Sequence, residues 1–66
     1  MWEAQSKEKN LRLLIEHDEY VGYYVYVFDY QSGISIQDYL YDNLEQAYSS
    51  IQKRFGISRD EFKKIK

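Results

Sequence analysis

The stretch VGYYVYVFDY, residues 21–30, decides how this chain folds. It is packed with β-branched and aromatic side chains, the types that fit a pleated, half-buried surface. Side chains alternate across a strand, so the segment presents two rows. One is Val21, Tyr23, Val25 and Val27; the other is Tyr24, Tyr26, Phe28 and Tyr30. A sheet with one wet side alternates apolar with polar residues. Here both rows are apolar or aromatic, so both sides of the strand are expected to meet something other than water.

The flanking sequence supplies partners. Gln31-Ser32-Gly33 is a turn signal, and residues 34–41 resume the strand pattern. Upstream, Leu11, Leu13, Ile15 and His17 alternate as a strand would, while Leu11, Leu14 and Ile15 would also suit a helix. The polar corner His17-Asp18-Glu19 followed by Gly22 favours a strand that pairs as a hairpin. Met1 to Asn10 shows no period, and Trp2 is expected to fold back onto something apolar.

Downstream the period changes. Leu44, Ala47, Tyr48, Ile51 and Phe55 fall at i, i+3, i+4, i+7 and i+11, the single stripe of an amphipathic helix. Asp42 with Glu45 reads as a capping box, Lys53 and Arg54 suit the negative end of the helix dipole, and Gly56 supplies the left-handed stop. Ser58 with Glu61 reads as a second box, with Ile57 before it as a staple for Phe62, so a short C-terminal helix carrying Arg59, Lys63, Lys64 and Lys66 is expected there. Seven or eight residues do not hold a helix alone in water, so this one must dock.

The expected architecture is α+β in a single domain of residues 1–66: a three-stranded antiparallel meander over 11–41, packed on one amphipathic helix, then a short helix (βββαα). Residues 1–10 form a poorly defined leader and residues 42–66 the helical part. Sixty-six residues bury only about 60% of the unfolded surface, so the core is small.

Composition removes several classes of function. With no cysteine there is no disulfide framework, thiolate metal site or cysteine nucleophile. The lone histidine, His17, reads as an exposed turn residue. Asp29, Asp38 and Asp42 lack the spacing of a calcium loop and suit turn and cap roles. No G-x-G or G-K-[ST] motif cradles phosphate. A two-layer domain of this size leaves little room for a pocket of ~300 Å³. The expectation is therefore no enzyme, with no catalytic residue, cofactor or metal. No apolar run approaches the ~18 residues of a membrane span, and Met1–Asn10 has no signal-like apolar region, so a soluble cytoplasmic protein is expected.

Charge is unevenly spread. Residues 1–20 hold three basic and five acidic side chains, residues 21–50 hold four carboxylates and no basic residue, and residues 51–66 hold six basic and two acidic. One helix covers one sheet face, and the Val21/Val25/Val27 row is the better match for Leu44, Ile51 and Phe55. Tyr24, Tyr26, Phe28 and Tyr30 are then left over, extended by Tyr39 or Tyr41 according to register. Either Trp2 and its flanking segment, or the terminal helix, covers this row from within, or the row is an interaction surface. An aromatic, charge-poor patch has the composition of an interface core, most simply between two copies of the chain as a homodimer, otherwise with another protein. Single-stranded nucleic acid would stack on such rings with Lys53, Arg54, Arg59 and Lys63 on phosphates, but the four carboxylates around the rings oppose a polyanion. An inhibitor or immunity-type protein meeting a basic partner with its acidic middle is a third reading.

Overall fold

The computed structural model describes residues 1–65. The strands are β1 (Trp2–Ser6), β2 (Leu11–Asp18), β3 (Gly22–Asp29), β4 (Ser35–Tyr41) and β5 (Lys63–Lys64), and helix α1 (Leu44–Phe55) lies between β4 and β5. All pairings are antiparallel, in the order β4-β3-β2-β1-β5. Strands β1 to β4 form a meander of short turns, and α1 then carries the chain back across one face so that β5 reaches the free edge of β1.

The α+β class is as the sequence predicts, but the sheet has five strands rather than three. The segment 1–10 is not an undefined leader. Trp2, Ala4 and Ser6 alternate with Glu3 and Gln5, and they pair with β2 from Trp2 opposite Ile15 to Ser6 opposite Leu11. Asn10, at φ 58°, turns the chain between β1 and β2. Its side chain then ties that turn to the next hairpin, donating to Asp29 Oδ2 at 2.9 Å and accepting from the Gln31 N–H at 3.1 Å.

The expected C-terminal helix is reduced to one 3₁₀ turn, Arg59–Glu61, where Glu61 accepts from the Ser58 N–H at 2.8 Å. Phe62 then turns extended, with its ring 5.4 Å from that of Tyr48, and Lys63–Lys64 become strand. The physical reason is the free edge of β1. Its unpaired backbone groups offer inter-strand hydrogen bonds, which outcompete a helix too short to propagate. Lys66 lies outside the described residues.

Helix α1 carries the expected stripe, with Ala47 and Ile51 buried and Leu44, Tyr48 and Phe55 packed around the core. Its cap is one residue later than expected: Asn43, not Asp42, accepts from the Gln46 N–H at 2.9 Å, while the Gln46 side chain accepts from the Asp42 N–H. Gly56 ends the helix at φ 68°, and Lys9 Nζ donates to the Phe55 carbonyl at 3.0 Å, placing a cation at the negative end of the dipole.

The core is Ala4, Leu13, Ile15, Val25, Val27, Ala47, Ile51 and Ile57, each at most 1% exposed and all on the helix side. Val21, expected in this row, sits in the turn before β3 and is 46% exposed. Gly22 takes the place where the chain squeezes past β4. At φ 133° a Cβ there would stand 2.3 Å from the Tyr41 carbonyl oxygen.

Candidate interaction surface

The face of the sheet away from α1 is built by the alternation of its strands. Register sets Asp38, Tyr26, Leu14, Glu3 and Lys63 in one row across all five strands. On one side of it runs Leu40, Tyr24 and Glu16; on the other, Phe28, Arg12 and Gln5. A bulge lies between these rows on β4, because Val27 pairs with Gln37 and Phe28 with Ser35, leaving Ile36 as the extra residue.

Three of the four residues expected on this surface, Tyr24, Tyr26 and Phe28, are brought together on β3. Tyr30 is not in the strand; it follows β3 in the turn, where its N–H donates to the Asn10 carbonyl at 3.0 Å. Tyr39 and Tyr41 do not extend the row, because they pair with Val25 and Tyr23 and so face the helix.

Trp2 does not cover these rings. It shares the core face with Ala4 and packs around the core, its ring centroid 6.1 Å from that of Tyr23. Nor does the C-terminal segment, whose Phe62 joins the same helix-side cluster. Tyr24, Tyr26, Phe28 and Leu14 are half-buried by one another and by their strand neighbours, and none belongs to the set packed on the core. Tyr24 and Tyr26 stack at 6.0 Å between centroids.

The polar groups on this face are mostly tethered. Tyr26 donates its hydroxyl to Glu16 Oε1 at 3.2 Å. Partial burial, followed by that hydrogen bond and the neighbouring carboxylate charge, holds the Tyr26 phenol above its usual pKa. Arg12 pairs with Glu3 at 2.6 Å and lies 5.7 Å from the centre of the Phe28 ring. The face therefore presents a centre of Tyr24, Tyr26, Phe28 and Leu14 with charged side chains around it. Leu40, at 49% exposure, adds apolar surface at its β4 margin.

Sequence reading missed Leu14, Arg12, Leu40 and Lys63 on this face. The doublet Leu13-Leu14 carried the signal for Leu14, since neighbours in a strand point to opposite sides. Leu40 fitted the helical stripe by number, and only the register at Tyr24 reveals its face. Lys63 required knowledge of β5.

Two cations proposed as phosphate contacts lie on the other side of the molecule. Arg54 sits 4.8 Å from the Tyr39 ring centre and donates to Ser50 Oγ, and Arg59 sits 4.7 Å from the Tyr48 ring centre while pairing with Glu45 at 3.0 Å. These two arginines and the open-face rings Tyr24, Tyr26 and Phe28 thus occupy opposite sides of the sheet, whereas Arg12 lies beside Phe28.

Elsewhere, His17 is exposed as expected but is the penultimate residue of β2 rather than part of a turn, stacked on its partner Tyr23 at 4.4 Å. A depression lies between β4 and the outer side of α1, lined by Tyr41, Glu45, Ser50, Lys53 and Arg54 among others. Its Tyr41 and Ser50 hydroxyls bond each other. Among the described residues no cluster of three or more acidic, histidine or cysteine side chains is placed to hold a metal ion, and no helix is long and apolar enough to cross a membrane. No family model matches this chain, and neither the curated proteins nor the solved structures yield a match.

Proposed function

We propose that this chain is a non-catalytic association module that docks through the open sheet face centred on Tyr24, Tyr26, Phe28 and Leu14, most simply with a second copy of itself. The observation that carries the reading is the position of Trp2. The chain's largest side chain, which had the reach to shield the rings, is committed to the helix side. Aromatic rings offer large, rigid contact area at small entropic cost, and tyrosine keeps its hydroxyl hydrated until a partner arrives.

A protein partner suits this face better than nucleic acid. Its charges are of both signs, and its arginine is already matched by Glu3. Phosphate binding draws on cations, and Arg54 and Arg59 lie on the helix side, over the rings of Tyr39 and Tyr48.

Sedimentation equilibrium over a range of concentration tests the proposal. The expected result is reversible association that Tyr26→Glu abolishes without loss of folded structure, because a buried, unpaired carboxylate opposes docking. Identical behaviour of the two proteins, both monomeric at millimolar concentration, overturns it.

A further inference from the structure

We infer that the free edge of β4 takes an extended segment of a partner protein as a sixth strand, antiparallel to β4. That segment carries an acidic residue toward α1 and, next to it, a basic residue on the open side of the sheet. The inference does not rest on the open face being a docking surface. The two edges of the sheet are unlike. β5 is two residues long and both are lysines, a strand too short and too charged to template another. β4 ends the sheet on the other side with seven residues, of which Asp38 is the sole charge and none is lysine or proline. Ile36 bulges out of the ladder, which leaves residues 37–41 as the regular stretch. Among the described residues, the backbone groups of that stretch that point away from β3 have no partner. A row of unpaired ladder groups is matched by another extended backbone, and antiparallel pairing is the more stable arrangement.

The side chains beside the edge say what that segment carries. The depression between β4 and the outer side of α1 runs along it, lined by Tyr41, Glu45, Lys53 and Arg54 among others. Glu45 is already matched by Arg59 at 3.0 Å. Lys53 has no ionic or hydrogen-bonding partner among the described residues, and Arg54 lies 4.8 Å from the Tyr39 ring centre with no carboxylate paired to it. Positive charge is therefore unmatched on the helix side. On the open side Asp38, exposed and without a partner among the described residues, supplies negative charge next to Tyr39. Residues directly opposite in a sheet share a face. A carboxylate opposite Tyr39 thus lies beside Arg54, and an ammonium in the next position lies opposite Asp38.

A second copy does not fit this edge. Two β4 strands related by a two-fold axis normal to the sheet keep at least three of the residues 37–41 in pairs only when the axis passes beside residue 38, 39 or 40. The first register sets Asp38 against Asp38. The second sets Tyr39 against Tyr39 and brings together the two Arg54 side chains that lie over those rings. The third sets Asp38 against Asp42. Like charges so placed destabilise a strand pair, and every register meets one.

Heteronuclear NMR of the dilute full chain, titrated with capped synthetic pentapeptides, tests the inference. In Thr-Val-Glu-Lys-Thr the glutamate comes opposite Tyr39 and the lysine opposite Asp38. Thr-Val-Lys-Lys-Thr and Thr-Val-Glu-Glu-Thr each spoil one of the two matches. The first peptide is expected to move the amide resonances of residues 37–41 along one saturating curve, and each of the others to bind about threefold more weakly or worse. Asp38→Lys, at an exposed position, is expected to reverse the choice, so that Thr-Val-Glu-Glu-Thr binds more tightly than Thr-Val-Glu-Lys-Thr. No shift at millimolar peptide, equal or tighter binding of either control, or shifts confined to Tyr24, Tyr26 and Phe28 overturns the inference. Shifts at residues 37–41 that grow with protein concentration in the absence of peptide make a second copy the occupant, and overturn it as well.

Discussion

Trp2 and Tyr23 stand with ring centroids 6.1 Å apart on the helix side of the sheet. That contact ties the first strand to the third across β2, and it commits the only tryptophan to the interior layer. Two consequences follow, one for stability and one for the face left open.

Trp2→Ala is expected to lower unfolding free energy by about 2 kcal/mol, less than for a fully buried ring because Trp2 is half-exposed. Urea unfolding measures it. The same variant, at concentrations where it remains folded, is expected to self-associate as the parent does, since the ring is on the opposite side of the sheet.

Core and face substitutions should separate cleanly. Ile51→Val removes one methylene from a site 1% exposed and is expected to cost about 1 kcal/mol. Leu40→Ser, at a position 49% exposed, is expected to change monomer stability by less than about 0.5 kcal/mol while weakening association. Thermal denaturation at low concentration reports the first quantity, and sedimentation the second.

Two glycines with positive φ make a matched pair. Gly33→Ala meets nothing within 4 Å, so only its φ of 73° is penalised, about 1 kcal/mol. Gly22→Ala adds a collision with the Tyr41 carbonyl, and backbone must move to relieve it. Its loss is expected to exceed that of Gly33→Ala by about 2 kcal/mol or more in denaturant titration.

Asp29 organises the β3–β4 turn. The Ser32 N–H and hydroxyl both donate to Oδ1, at 2.9 and 3.0 Å, and Asn10 donates to Oδ2. These bonds, the Ser32 N–H foremost, hold the carboxyl below its ordinary pKa. A carboxyl depressed in the folded state stabilises above its unfolded pKa of about 3.9, and that contribution fades as pH falls through the lower folded value. Asp29→Ala is therefore expected to lower the melting temperature at pH 7, with a smaller difference from the parent at pH 2, measured by circular dichroism.

Much of this architecture is legible from residues 11–56 alone, because β-branched alternation and the Leu44-to-Phe55 stripe are strong periodic signals. What was illegible has a physical origin. β1 is built on Ala4, a small residue of low β-propensity flanked by polar neighbours, and only pairing with β2 gives it a role. The C-terminal capping box is present, yet it opens a single turn, because Lys63 and Lys64 find backbone partners on β1 that no local pattern announces. The site shows the same division. Tyr24, Tyr26 and Phe28 follow from alternation within one strand, as Leu14 does from the Leu13-Leu14 doublet, whereas Asp38 and Lys63 depend on register between strands. Tyr30 was misplaced because β3 stops at Asp29, where the side chain turns to cap Ser32.

The most direct test of the open face is a concentration series of heteronuclear NMR spectra from micromolar to millimolar protein. Resonances of Tyr24, Tyr26, Phe28 and Leu14 are expected to shift together along one saturating curve, while those of Ser49 and Gln52 on the outer side of α1 stay fixed. Spectra that do not change with concentration, or shifts confined to the helix side, would contradict the account.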